Sequence, residues 1–84
     1  MKAIENAIEY NKEALKRNEA KAHYFCDLIR FISRDENNTD KQLVEWTGIY
    51  LNNVEMCVSR CNELKSRIED LEKIKEETEA ENEH

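Results

Sequence analysis

The residues most able to do chemistry are Cys57 and Cys61, which lie four positions apart and therefore on one face of a helix. Two thiolates at this spacing could bind a metal or undergo thiol–disulfide exchange. A zinc site needs two more ligands, and in a folded hairpin His23 and Cys26 would be about 15 Å away. Free cysteine on an apolar helix stripe packs as a small hydrophobe. We therefore predict a packing role and no metal site.

Other catalytic arrangements are equally sparse. Glu81 and His84 have the Glu-x-x-His spacing of di-metal bundles, but they lie at the chain end without an inward-facing partner. His23 falls on the outer side of the first predicted helix. The chain has one glycine, so no glycine-rich loop can cradle a phosphate. The serines lack a His and an acid at plausible geometry: Ser33, Ser59 and Ser66. We predict no catalytic residue, no cofactor and no enzymatic activity.

The composition predicts an all-α protein. The 84 residues include no proline and a single glycine, whereas a sheet protein needs turn residues every 8–12 positions. Charged residues make up 38% of the chain and hydrophobic residues 39%. This balance is typical of long helices with one apolar stripe and solvated outer faces.

The charge and the cysteine count bear on partners and location. The net charge is −6, with acidic residues concentrated in 35–58 and 72–84. Nucleic-acid binding normally requires a basic face, so we expect none by the chain itself. No apolar run reaches the length of a membrane span. Three cysteines and an N-terminus without an apolar stretch predict a cytoplasmic protein with reduced thiols and no membrane association.

Two apolar ladders with alternating steps of four and three residues predict two long helices, at about 3–33 and 40–76. The polar segment 34–39 between them predicts an antiparallel hairpin, in which Phe25 would face Thr47. Thr39 and Gln42 have the spacing of a capping box at the start of the second helix. The domain division is thus a hairpin at 1–76 and an acidic frayed tail at 77–84. The ladders consist of Ile4, Ile8, Asn11, Leu15, Asn18, Ala22, Phe25, Ile29 and Ile32, and of Leu43, Thr47, Tyr50, Val54, Cys57, Cys61, Leu64, Ile68 and Leu71.

Two asparagines interrupt the first ladder, and the single glycine lies off the second. Asn11 and Asn18 occupy the same heptad position on the first ladder. Such asparagines either fix the register and the oligomeric state or mark a place where the seam opens to water. Gly48 falls on the outer side of the second ladder, where it is either a tolerated surface glycine or a point of kinking or close approach by another chain.

The apolar residues outnumber those that two facing stripes can bury. The surplus lies between 24 and 31 and between 44 and 58, around the loop end of the hairpin. A surface patch of that size favours association, so we expect two hairpins to pair into a four-helix dimer. A different protein is the alternative occupant. The predicted interface consists of Leu28, Phe31, Trp46, Ile49 and Tyr50.

These observations predict a small non-enzymatic protein–protein interaction module, a regulator, adaptor or inhibitor that forms a homodimer and contacts an unidentified protein. The alternative is an acidic inhibitor of the phage or mobile-element type, which blocks a nucleic-acid enzyme by charge mimicry. Its working surface would be the acidic tail or a charged surface near the loop. That charge surface consists of Asp35, Glu36, Asp40 and Glu45.

Overall fold

The protein is an antiparallel helical hairpin. The computed structural model describes residues 2–82, with α1 at Lys2–Arg34 and α2 at Asp40–Asn82. The hairpin measures 68 Å along its axis and 14 Å in each of the other two directions. These bounds confirm the all-α class, the two long helices and the position of the loop.

The C-terminal end of α2 was predicted too early. We expected the helix to end near 76, yet it continues to Asn82. The glutamates here oppose the helix dipole, but residues 76–82 include neither glycine nor proline and consist largely of Glu and Ala, which are strong helix formers. The acidic segment therefore extends the helix at least to Asn82. The rest of the predicted frayed tail, Glu83 and His84, lies outside the described residues.

The loop is held by the side chains that the sequence marked as helix caps. The Gln42 backbone N–H donates to the Thr39 hydroxyl at 3.1 Å, and the Thr39 N–H donates to the Gln42 side-chain oxygen at 3.0 Å. This reciprocal pair is the predicted capping box, and it begins α2 at Asp40. At the other side of the loop, the Asn38 amide donates to the Ile32 carbonyl at 3.1 Å. The same carbonyl also accepts the Asp35 backbone N–H at 3.4 Å, so both bonds close the last turn of α1.

The core lies in the half of the hairpin away from the loop. Every ladder position is buried or half-buried, as predicted, and Leu64 is the most enclosed side chain at 1% exposure. Ala14, which is off the ladder, is also buried. The small side chain permits close approach of the helices at that level. The fully buried residues are Ile8, Ala14, Cys57, Cys61, Leu64 and Ile68.

The contacts between the helices lie further along α2 than the expected register placed them. Phe25 was expected opposite Thr47, but its ring lies against that of Tyr50, with centroids 6.2 Å apart. At the far end two ion pairs join the helices, Lys12 to Glu72 at 3.7 Å and Lys75 to Glu5 at 3.6 Å. All four side chains are solvent-accessible, so these pairs add little stability. They leave about two turns of α2 beyond the level of Glu5.

Gly48 lies on the exposed side of α2, and a Cβ built there would meet no atom within 4 Å. Gly48→Ala should therefore raise the free energy of unfolding by about 1 kcal/mol, because alanine restricts the unfolded chain and favours helix. Urea denaturation followed by circular dichroism at fixed protein concentration measures the change. A loss of stability would instead indicate that another chain approaches the backbone at this point.

Candidate interaction site

The loop-proximal half of the hairpin leaves its apolar side chains in water. Among the residues that the structure describes, eight of the ten exposed large hydrophobic ones lie between 24 and 58. Over 18–56 no side chain of either helix is fully buried. The core between α1 and α2 therefore lies in the half of the hairpin away from the loop, and the loop-proximal half, which is more apolar, is incompletely covered. Contiguous exposed apolar patches larger than a few hundred Å² are rare on monomeric proteins.

Most of these side chains form one continuous surface, which we call the aromatic face. On α1, Tyr24, Leu28 and Phe31 follow helical spacing along one side. On α2, the Trp46 and Tyr50 rings stack with centroids 5.8 Å apart, and Tyr50 contacts Phe25 of α1. The aromatic face consists of Tyr24, Phe25, Leu28, Phe31, Trp46, Ile49, Tyr50 and Met56.

A groove of about 640 Å³ lies at the end of the aromatic face away from the loop. Tyr24 and Phe25 of α1 and Met56 and Cys57 of α2 provide most of its apolar lining. Asn18 occupies the ladder position at this level, where its side chain fills less space than a Leu or Phe would. Four polar or charged residues complete the lining: Asn18, Lys21, Asn53 and Arg60. The groove was not predicted from the sequence, although Asn18 and Asn53 at its level were a usable signal.

Lys21 and Arg60 give the groove a positive rim on an otherwise acidic protein. Arg60 lies 3.0 Å from Glu63 one turn along the same helix, but both side chains are about half exposed, so the pair is weak. Lys21 makes no ion pair within the described part of the chain. Both cations are thus available to a carboxylate on another molecule.

The sequence suggested one apolar patch, but the exposed apolar residues form two separate surfaces. Val44, Leu51 and Val58 repeat every seven residues and make a separate aliphatic stripe on α2. Val44 precedes Trp46 by two residues, which places it about 200° around the helix from the aromatic face. The five predicted interface residues all lie on the aromatic face, with Leu28 and Tyr50 half-buried and Phe31, Trp46 and Ile49 exposed.

The predicted charge surface lies at the loop end of the hairpin. Asp35 and Glu36 lie in the loop, and Asp40 and Glu45 lie in the first two turns of α2, all four exposed. One Asp35 carboxylate oxygen accepts the Asn37 backbone N–H at 3.0 Å, so this side chain also shapes the loop. Arg34 and Lys41 also lie at this end, so residues 34–45 carry a net charge of −2, whereas Lys21 and Arg60 border the groove at the other end.

Asn11 and Asn18 are half-buried and bond to their own helix. The Asn11 amide donates to the Ala7 carbonyl at 2.7 Å, and the Asn18 amide donates to the Ala14 carbonyl at 2.8 Å. Neither amide nitrogen donates across to α2. The geometry favours a local role over a bridge that fixes the register of α1 against α2.

Replacing both asparagines by leucine should raise the melting temperature by about 4 °C or more, because apolar surface replaces polar surface at half-buried ladder positions. Since neither amide donates across the seam, we expect the mass of the assembly to stay unchanged. Thermal denaturation and light scattering on the same sample measure both quantities. A mixture of assemblies after the substitution would show that the two asparagines do fix the register and the oligomeric state.

Cys57 and Cys61 lie buried in the seam between the helices. Burial raises the pKa of the Cys61 thiol above its usual range, and the Glu19 carboxylate raises it further. A protonated, enclosed thiol is a poor nucleophile and a poor metal ligand. Within 2–82 no group of three or more His, Cys, Asp or Glu side chains is arranged to hold a metal ion.

The thiols should differ in reactivity. Cys26 is half-buried and should react first with a thiol-specific reagent in the folded protein, while Cys57 and Cys61 should react only after unfolding. Because the folded-state pKa of Cys61 is raised, its contribution to stability is present below the ordinary thiol pKa and is lost as the pH rises towards the folded value. Mass spectrometry of a labelling time course checks the order. Equal rates for all three thiols would contradict the enclosed seam.

Comparison with known proteins found no matching family model, no matching curated protein and no matching solved structure. The functional assignment must therefore come from the surface itself. Neither described helix has a segment apolar enough, over sufficient length, to cross a bilayer.

Proposed function

We propose that this protein is a small, non-enzymatic protein–protein interaction module that homodimerises through its aromatic face and serves as a regulator, adaptor or inhibitor. The observation that carries the proposal is the distribution of burial along the hairpin. The half richest in large apolar side chains contains no fully buried residue, whereas the other half contains all six.

Exposed apolar surface of this kind is costly in water. Each large apolar side chain gains about 1.5–3 kcal/mol when it is fully buried. Trp46, Ile49 and Phe31 remain 46%, 51% and 69% exposed in the hairpin. Pairing two hairpins through this face would complete a four-helix core and would add the stability that a short two-helix chain lacks.

Trp46 is the single tryptophan of the chain and lies on the aromatic face, so its fluorescence reports directly on this surface. We expect the emission maximum to move to shorter wavelength and quenching by acrylamide to weaken as the protein concentration rises from nanomolar to micromolar. Circular dichroism across the same range separates association from folding. If Trp46 stays exposed at every concentration, the protein does not self-associate through this face.

A second candidate is an acidic inhibitor that occupies the basic groove of a nucleic-acid enzyme. It is supported by the exposed acids around the loop and by the acidic helical extension after Lys75, which contains Glu76, Glu77, Glu79 and Glu81 without a basic residue. Such binding should weaken steeply between low and physiological ionic strength, while an apolar interface should persist. Deleting 76–84 distinguishes the acids around the loop from the acidic helical extension. Unchanged inhibition by the shortened chain would show that the extension is not the inhibitory surface.

A further inference from the structure

We infer that the aromatic face takes a second copy of this chain in antiparallel orientation, with the loop end of one hairpin over the groove end of the other. This inference rests on the proposed self-association and adds its geometry. It follows from two observations: the area of the face and the placement of charges at its two ends.

The area is suited to a second copy. Large apolar side chains offer about 150–250 Å² each, so five that are 46–69% exposed and three that are half-buried present roughly 600 Å². A standard stable interface buries about 800 Å² per partner, part of it from a polar rim. The charged residues at both ends of the aromatic face provide such a rim. A self-complementary face of this size closes a two-fold dimer.

The charges select the orientation. The contact between Phe25 and Tyr50 marks the middle of the aromatic face. At 1.5 Å per residue, Lys21 and Arg60 lie about 6 and 15 Å from that level on the groove side. Glu45 and Glu36 lie about 8 and 16 Å from it on the loop side.

An antiparallel pair therefore superposes acids on cations at both ends of the interface. In a parallel pair the loop acids of one copy would face those of the other, and Lys21 and Arg60 would face the partner's cations. Charges within about 10 Å of one another interact appreciably at physiological salt, and like-charge placement is disfavoured. The antiparallel arrangement is the one in which the sequence's uneven charge stabilises the dimer.

A distance between the two loops tests the orientation. A nitroxide is attached to Asn37→Cys in a chain carrying Cys26→Ser, where the remaining thiols, Cys57 and Cys61, are buried. Pulsed electron spin resonance should give a separation of about 30 Å or more for the antiparallel dimer, because each loop lies about 15–18 Å from the middle of the face. A separation below about 20 Å would overturn the antiparallel geometry while leaving the proposed dimer intact. A monomeric chain would overturn both.

A charge exchange tests the complementarity. Lys21→Glu with Arg60→Glu should raise the dimer dissociation constant about ten-fold or more. Adding Glu36→Lys and Glu45→Lys restores the net charge of −6 and should recover most of the lost affinity. Lys16→Glu with Lys73→Glu, two exposed cations outside the aromatic face, is the control of equal charge. An equal loss in the control, or no recovery in the fourfold variant, would overturn the charge pairing.

Discussion

Leu64→Ala should lower the free energy of unfolding by about 2–5 kcal/mol, the cost of removing three carbons from a closely packed core and leaving a cavity. Leu64 is the most enclosed side chain of the hairpin, at 1% exposure, and it lies between the buried neighbours Cys61 and Ile68. The total stability of a domain is only about 5–15 kcal/mol, so this single change removes a large part of it.

Leu51 provides the matched control for this substitution. It is a leucine of the same helix, 48% exposed and outside the aromatic face. Leu51→Ala should cost less than about 1 kcal/mol, since little buried area is lost. Urea denaturation at one fixed protein concentration compares the two, because association couples to stability. Equal losses at both positions would contradict a core confined to the half away from the loop.

Ile49→Glu should abolish the dimer at micromolar concentration. The substitution places a carboxylate in the centre of the aromatic face, where it would be desolvated without a partner, and we expect the dissociation constant to rise about 100-fold or more. Phe31→Glu should act in the same way from α1. Because both side chains are already more than half exposed in the hairpin, the substitutions remove little packing between α1 and α2.

The matched control is Val44→Glu, which adds the same charge to the same helix at a side chain that is 73% exposed and outside the aromatic face. It should leave the mass of the assembly unchanged. Light scattering gives the mass, and circular dichroism shows whether the dissociated chain stays helical or unfolds. A dimer of wild-type affinity in Ile49→Glu would mean that the aromatic face is not the contact surface.

Local signals in the sequence predicted most of the fold. The four-and-three spacing of apolar residues defined both helices, and the Thr39 and Gln42 pair located the start of α2 at Asp40. The end of α2 was missed because the dipole argument favours fraying, whereas residues 76–82 are mostly Glu and Ala, which are strong helix formers. Each dipole effect is below about 1 kcal/mol, so it does not by itself decide where a helix ends.

The aromatic face, the candidate interaction surface, was predicted less completely. Helical spacing was sufficient to place Leu28 and Phe31 on one side of α1, and Trp46, Ile49 and Tyr50 on one side of α2. The pairing of those two sides could not be obtained from either helix alone, because it depends on the register that Phe25 and Tyr50 set across the seam. The groove and its positive rim depend on that same register.

Sedimentation equilibrium of the intact chain is the most direct test of association through the aromatic face. The chain has a mass of 10.0 kDa. At micromolar concentration and physiological salt, we expect a species of twice that mass that dissociates on dilution. A well-folded, helical species of 10.0 kDa throughout the micromolar range would contradict it.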